Sequence, residues 1–239
     1  MKLLRVTLGA VLLSLGGCTC ETVNSSDIKT SGLYADLEVT ADGTGRSAAK
    51  ATLTLGAGSL TFLELASGDS LTVRSGTDSK AMSRRSLLGS TWYEAELTGE
   101  EANKAFTVSL TRANDTSAPS SSVTLPAPFS LTAPMASQTF SRAGSGQVVV
   151  AWAPSGLADA MHVAASGSCI ESIPDADLNA DQGQYTLPAF RARQGEDSTT
   201  CSVVITVTRT RKGSVDPAYG KGGDFTATVK RTVTISSAP

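Results

Sequence analysis

The sequence predicts an all-β protein built as two tandem β-sandwich domains, on three observations. Thr, Ser, Val and Gly are abundant while charged residues make up only 18% of the chain, a composition that favours strands over helices. Apolar and polar residues alternate with period two in many short stretches. Turn residues separate those stretches at roughly 8–12-residue intervals, the spacing expected of sandwiches. No helical periodicity persists beyond a turn or two, and the best helical candidate, GEEANKA at 99–105, reads equally well as a loop.

In the first half, strands are expected at 33–40, 49–55, 60–65, 70–75, 91–97, 105–112 and 122–125. Leu33, Ala35, Leu37 and Val39 share one face, and Tyr34, Asp36, Glu38 and Thr40 the other, the pattern of a sheet with one wet side. Asp42-Gly43 then supplies the positive-φ position of a hairpin. The Pro- and Ser-dense stretch 117–134 reads as an edge strand leading into a linker, because prolines cannot donate to a strand ladder. Strands resume at 146–153, 161–166, 184–190, 200–211 and 224–236. The expected organisation is a signal peptide at 1–17, a tether at 18–28, one sandwich at 29–134 and a second at 135–239.

The halves share landmarks. Tyr93, VSLTR ending at Arg112 and Pro134 parallel Tyr185, ITVTR ending at Arg209 and Pro239. The gaps are 19 and 24 residues, then 22 and 30, so loop insertions would reconcile a duplication; Thr/Val-rich strands also look alike by composition. Two strands carry charge where the alternation calls for apolar residues. Arg231 continues the face of Phe225, Ala227, Val229 and Val233, and Arg209 and Arg211 continue that of Val203, Ile205 and Val207. Arg209 and Arg211 are expected to snorkel at the strand end. Arg231 is expected to guard an edge strand or to contact a neighbouring domain, the former preferred, and if buried it should have a carboxylate partner.

The stretch Asp181-Gln182-Gly183-Gln184-Tyr185 resembles the tyrosine corner that precedes the sixth strand of immunoglobulin-like domains. The resemblance implies immunoglobulin- or fibronectin-like sandwiches, with Trp152 and Tyr185 filling or pinning the second core. Residue 187 is Leu instead of Cys, and Trp152 precedes both Cys169 and Cys201, so only the architecture carries over. Cys169 and Cys201 are expected to pair in an oxidising compartment; closing that 32-residue loop contributes roughly 3–4 kcal/mol in the chain-entropy model.

The compartment is read from the N-terminus. Lys2 and Arg5 precede an apolar run from Val6 to Leu15, too short to span a bilayer but long enough for a secretory signal. It ends in Leu15-Gly16-Gly17-Cys18, which resembles the lipobox of bacterial lipoproteins. That resemblance implies cleavage before Cys18, acylation of Cys18 and anchoring of the chain to a membrane through its lipid. Thr19 follows the cysteine where an Asp would signal inner-membrane retention, implying the outer membrane in a Gram-negative host.

Removing residues 1–17 leaves 18 basic and 22 acidic residues, which excludes a nucleic-acid footprint. The single histidine, His162, has no G-x-S-x-G turn to serve, and no phosphate-binding loop occurs; GKGGD at 220–224 reads as a flexible hairpin loop. Asp175, Asp177, Asn179 and Asp181 alternate as calcium ligands can, but Ala180 and Thr186 stand where an EF-hand needs Gly and Glu. Glu94 and Glu96 share a strand face, the ordinary arrangement of a charged outer surface. No catalytic residue, cofactor or metal is assigned. The expectation is a non-enzymatic binding or structural module of the cell envelope that engages protein or glycan; the alternatives are an accessory lipoprotein of an envelope assembly machine and a hydrolase acting on an envelope or extracellular polymer.

Overall fold

The computed structural model describes residues 21–143 and 147–239, and the chain is all-β. The first half holds β1 (Glu21–Asn24), β2 (Tyr34–Ala41), β3 (Arg46–Thr54), β4 (Thr61–Glu64), β5 (Ser70–Ser75), β6 (Asp78–Ala81), β7 (Ser83–Leu87), β8 (Ser90–Thr98), β9 (Ala105–Thr111) and β10 (Ala118–Thr124). The second holds β11 (Ser130–Ala133), β12 (Thr139–Ser141), β13 (Val148–Ala153), β14 (Ala160–Gly167), β15 (Ala176–Leu178), β16 (Gln184–Leu187), β17 (Cys201–Lys212) and β18 (Gly223–Ala238). Of the stretch 99–105, residues 99–104 form the β8–β9 turn, with Asn103 at positive φ, and Ala105 begins β9.

Each half is a sandwich with the same strand order. In the first, the antiparallel triplet β2-β3-β8 packs on the four-stranded β10-β9-β5-β6; in the second, β11-β13-β16 packs on β18-β17-β14-β15. The two orders correspond strand for strand, so the repeat suggested by the paired landmarks extends to topology. The fourth strand of each set pairs with the third, as in variable-type immunoglobulin sheets, and not with the fifth. The inward alternation sets the core: Ala35, Leu37 and Val39 of β2 and Val203, Ile205 and Val207 of β17 are all buried.

The sandwiches are joined through their sheets. β18 is sixteen residues long; Gly223–Val229 pairs in parallel with Ala35–Ala41 of β2, while β17 runs along its other edge. The four-stranded sheet of the second sandwich and the three-stranded sheet of the first are therefore one sheet. β11 lies before residue 134 yet pairs with β13, so the Pro-rich linker contributes the first strand of the second sandwich. The loop 213–222, which overlaps the 220–224 stretch expected to be a flexible hairpin loop, is docked on the first sandwich. Ser214 bridges Ser122, Tyr219 is buried, and Asp216 accepts from the Ser120 amide at 2.8 Å and from the Ser120 hydroxyl. Burial opposes ionisation of Asp216, but the Ser120 hydroxyl and the amides of Ala218 and Ser120 outweigh it and hold the carboxyl below its usual range. Burial pushes the Tyr219 phenol up.

Residues 21–28, expected as a tether, are instead built into the first sandwich. β1 pairs in parallel with β4, and the Arg112 guanidinium donates to the carbonyls of Ser25 and Ile28 and to Thr30 Oγ1. Backbone whose carbonyls satisfy a buried guanidinium is held in place.

Candidate functional site

The residues singled out in the sequence fall into three groups. Residues 1–20, with the signal peptide and Cys18, lie outside the described residues. Cys169 and Cys201 are bonded, with Cα atoms 5.8 Å apart, tying the end of β14 to the start of β17. Trp152 and Tyr185 lie on neighbouring strands of the second sandwich, where Tyr185 pairs with Val150. The five-residue resemblance places Tyr185 before the sixth strand; it stands in β16, the fifth, and the two long strands that follow are the sixth and seventh.

The group that pins this core is the Asp of that pentapeptide. Asp181 accepts from Trp152 Nε1 at 2.7 Å through one oxygen, and from Arg209 Nη2 at 2.8 Å through the other. The side chains of Arg209 and Asp181 are both 0% exposed. Arg209 also donates to the carbonyls of Ala127 and Pro154 and lies over the Phe129 ring, 5.0 Å from its centroid. The expectation that Arg209 snorkels is therefore corrected: its guanidinium turns inward because a carboxylate, two carbonyls and an aromatic face await it.

Arg211 and Arg231 complete a seam between the sandwiches. Arg211 grips both oxygens of Asp159 at 2.7 and 2.9 Å and reaches Asn103, Thr124 and Leu125 of the first half. The Asp159 hydrogen bond, opposed by burial and helped by charge, pushes the Arg211 pKa further up. Arg231 donates to the Phe129 carbonyl at 3.0 Å, lies 3.7 Å from the Glu100 carboxylate and packs on Gly43 of the β2–β3 turn. The preferred reading of Arg231 as an edge guard gives way to the contact between domains. Its neighbours come from the first sandwich and from the linker. The first sandwich has its own counterpart: Arg112, at the landmark equivalent to Arg209, is buried and forms a 2.8 Å ion pair with Asp69. Burial disfavours the Asp69 carboxylate, yet the Ser25 hydroxyl, the Ala113 amide and Arg112 hold its pKa below the usual range. In both halves, an arginine at the end of the sixth strand seals the backbone that enters the sandwich.

The alternating aspartates do not converge on one point. His162 Nδ1 lies 2.8 Å from Asp177 and Nε2 lies 3.6 Å from Asp175, whereas Asp181 is turned into the core. Glu94 pairs with Arg85 at 2.6 Å, which together with the Trp92 indole N–H keeps its carboxyl low. Glu96 pairs with Arg46 at 3.2 Å. No group of three or more metal-ligating side chains occurs among the described residues.

What remains outward is a broad sheet face shared by both halves. Thr40 of β2, Thr228 of β18 and Thr210 of β17 stand in cross-strand register, with the last two hydroxyls 3.2 Å apart; Thr232 and Thr206 form the next such pair on β18 and β17. Lys230, level with Thr208, stands exposed between these threonine pairs, and Glu38 and Lys50 pair farther along the same face, so the threonines offer hydroxyl donors and acceptors beside charged groups. The sequence showed this face as the polar half of each alternation, but gave no sign that two sheets merge.

No family model matches the chain, and no curated protein does. Among solved structures, the titin domains Z1Z2 in complex with telethonin align over 84% of this chain and 94% of theirs, at 12% identity and a TM-score of 0.23. The Yersinia pseudotuberculosis adhesin InvE aligns over 87% of this chain and 59% of its own, at 13% identity and 0.24. A Bacteroides ovatus glucan-utilisation protein, SGBP-B, solved with a mixed-linkage heptasaccharide, aligns over 96% and 70%, at 8% identity and 0.21. At these scores the architecture rests on the strand order itself.

Proposed function

We propose that this chain is a lipid-anchored, non-enzymatic module of the cell envelope that holds a hydroxyl-lined sheet face away from the membrane to engage protein or glycan. The observation that carries the reading is directional. Glu21, three residues after the lipobox cysteine, lies at the end of the first sandwich where β1 meets β4. β18 meets β2 from Ala35 to Ala41 and then runs on past the opposite end of that strand, taking the second sandwich with it. From Gly223 to Thr234 that is a rise of about 36 Å. Anchored at Cys18, the molecule stands as a two-storey post, stiffened by one continuous sheet and the arginine seam. Its mild negative charge suits an aqueous surface and no nucleic acid, and in a Gram-negative host the outer membrane is its place.

The test is photo-cross-linking in cells, with a photoreactive residue at Thr206 or Thr232 on this face, and at Arg74, exposed on the four-stranded sheet of the first sandwich, as a control. Adducts to protein or glycan from Thr206 and Thr232, and none from Arg74, are expected. Adducts from Arg74 alone, or from no position, would reject this face as the binding surface.

A further inference from the structure

The geometry points to a second membrane contact: the β7–β8 hairpin tip, Leu87-Leu88, dips into the lipid interface beside the acylated Cys18. This rests on the lipid-anchor reading above. Leu88 is 91% exposed and Leu87 65%, the most exposed pair of neighbouring large apolar residues among those described. Leu88 and Gly89 form the two-residue turn, at φ 49° and 85°. Such a turn favours Asn, Asp or Gly at both places, and a leucine there is strained as well as bare. A leucine placed against both conformation and solvation gains a rationale if its side chain enters an apolar phase.

Register puts the tip at the anchored end. β3 pairs Ala51 with Tyr93, so Thr54 falls level with Ser90, the first residue after the turn. Thr54 also pairs with Phe62 of β4, and Phe62 pairs with Thr22 of β1. Phe62, Leu87, Leu88 and Trp92 line one open groove of about 720 Å³. Leu60, 46% exposed, lies one step beyond β4, and its carbonyl accepts from the Glu21 amide at 3.1 Å. Three residue steps separate Glu21 from Cys18, a reach of at most about 11 Å. A lipid on Cys18 therefore brings this corner to the bilayer, and Leu60, Leu87 and Leu88 are the apolar side chains it presents. Behind the tip, Arg84 is paired with Glu64 and Arg85 with Glu94, and the groove's two charged residues, Asp36 and Lys50, are of opposite sign, so the leucines are what this flank offers a bilayer.

The experiment uses mature protein extracted from membranes, carrying Cys20→Ser and a single labelling cysteine at Leu88→Cys or, as the distal control, Thr234→Cys. An environment-sensitive fluorophore is attached and the protein is reconstituted into phosphatidylcholine/phosphatidylglycerol vesicles; acylation of Cys18 is read by mass. The expected result is acylated protein whose label at 88 shifts to the blue and is quenched several-fold more by bilayer-borne quenchers than the label at 234. Acylated protein with an aqueous label at 88 would overturn the hairpin contact and leave the anchor standing. An unmodified Cys18 would overturn both.

Discussion

Replacing Asp181 with alanine is expected to destabilise the protein by about 3–5 kcal/mol, the cost of leaving a buried guanidinium without its counter-charge. Arg209 has no solvent to turn to, and the Trp152 indole N–H loses its acceptor in the same step. Chemical denaturation of D181A should show the loss as a lower midpoint with an unchanged slope. Asp181→Asn keeps the shape and the Trp152 bond but not the charge, and should fall between wild type and D181A. Removing both charges, as in D181L/R209M, should recover part of the loss. Recovery stays incomplete because the carbonyls of Ala127 and Pro154 then lose their donor.

Gly223→Ala is the second large effect. A Cβ built at Gly223 would stand 2.1 Å from the Ala35 carbonyl oxygen, a backbone atom fixed in β2, so the strands must part where the two sandwiches share a sheet. The expected cost is about 3 kcal/mol or more, at the upper end for overpacking. The loss should be local in kind: in hydrogen exchange, the amides pairing β18 with β2 lose protection before those of β17 and β14. Equal loss throughout would mean the halves unfold as one unit and the seam has no separate stability.

These two residues also mark how far the sequence could be read. The alternation in 33–40 and 200–211 was legible because one face of each strand is wet, so period two survives in the composition. The hairpin at Asp42-Gly43 and the Cys169–Cys201 bridge rest on local geometry and pairing chemistry that residue type announces. The shared sheet was not legible: β18 and β2 are nearly two hundred positions apart, and parallel pairing leaves no turn between them to recognise. Its traces in the sequence were the arginines on an apolar face; Gly223 is absorbed by the hairpin-loop reading of 220–224. Arg231 was seen as anomalous, but its explanation lay in Glu100, Gly43 and Phe129, none of them near in sequence. Asp181 belongs both to the alternating aspartates and to the D-x-G-x-Y stretch, yet its role as the partner of Arg209 joins positions 28 residues apart. The leucine tip is hard to read from sequence because its one turn residue, Gly89, follows SRRSLL, which lacks the alternation of a hairpin strand.

Everything proposed for the function hangs on the chain being held at a membrane by Cys18. The most direct measurement is fractionation of cells producing the wild-type protein or Cys18→Ser, with radiolabelled palmitate supplied during growth. The account predicts label and protein together in the membrane fraction for wild type, released by detergent but not by high salt. For C18S it predicts unlabelled protein with the signal peptide retained, since cleavage before the cysteine requires it. Unlabelled wild-type protein in the soluble fraction, with the same mass as the variant, would contradict the anchor, the upright orientation and the hairpin contact together.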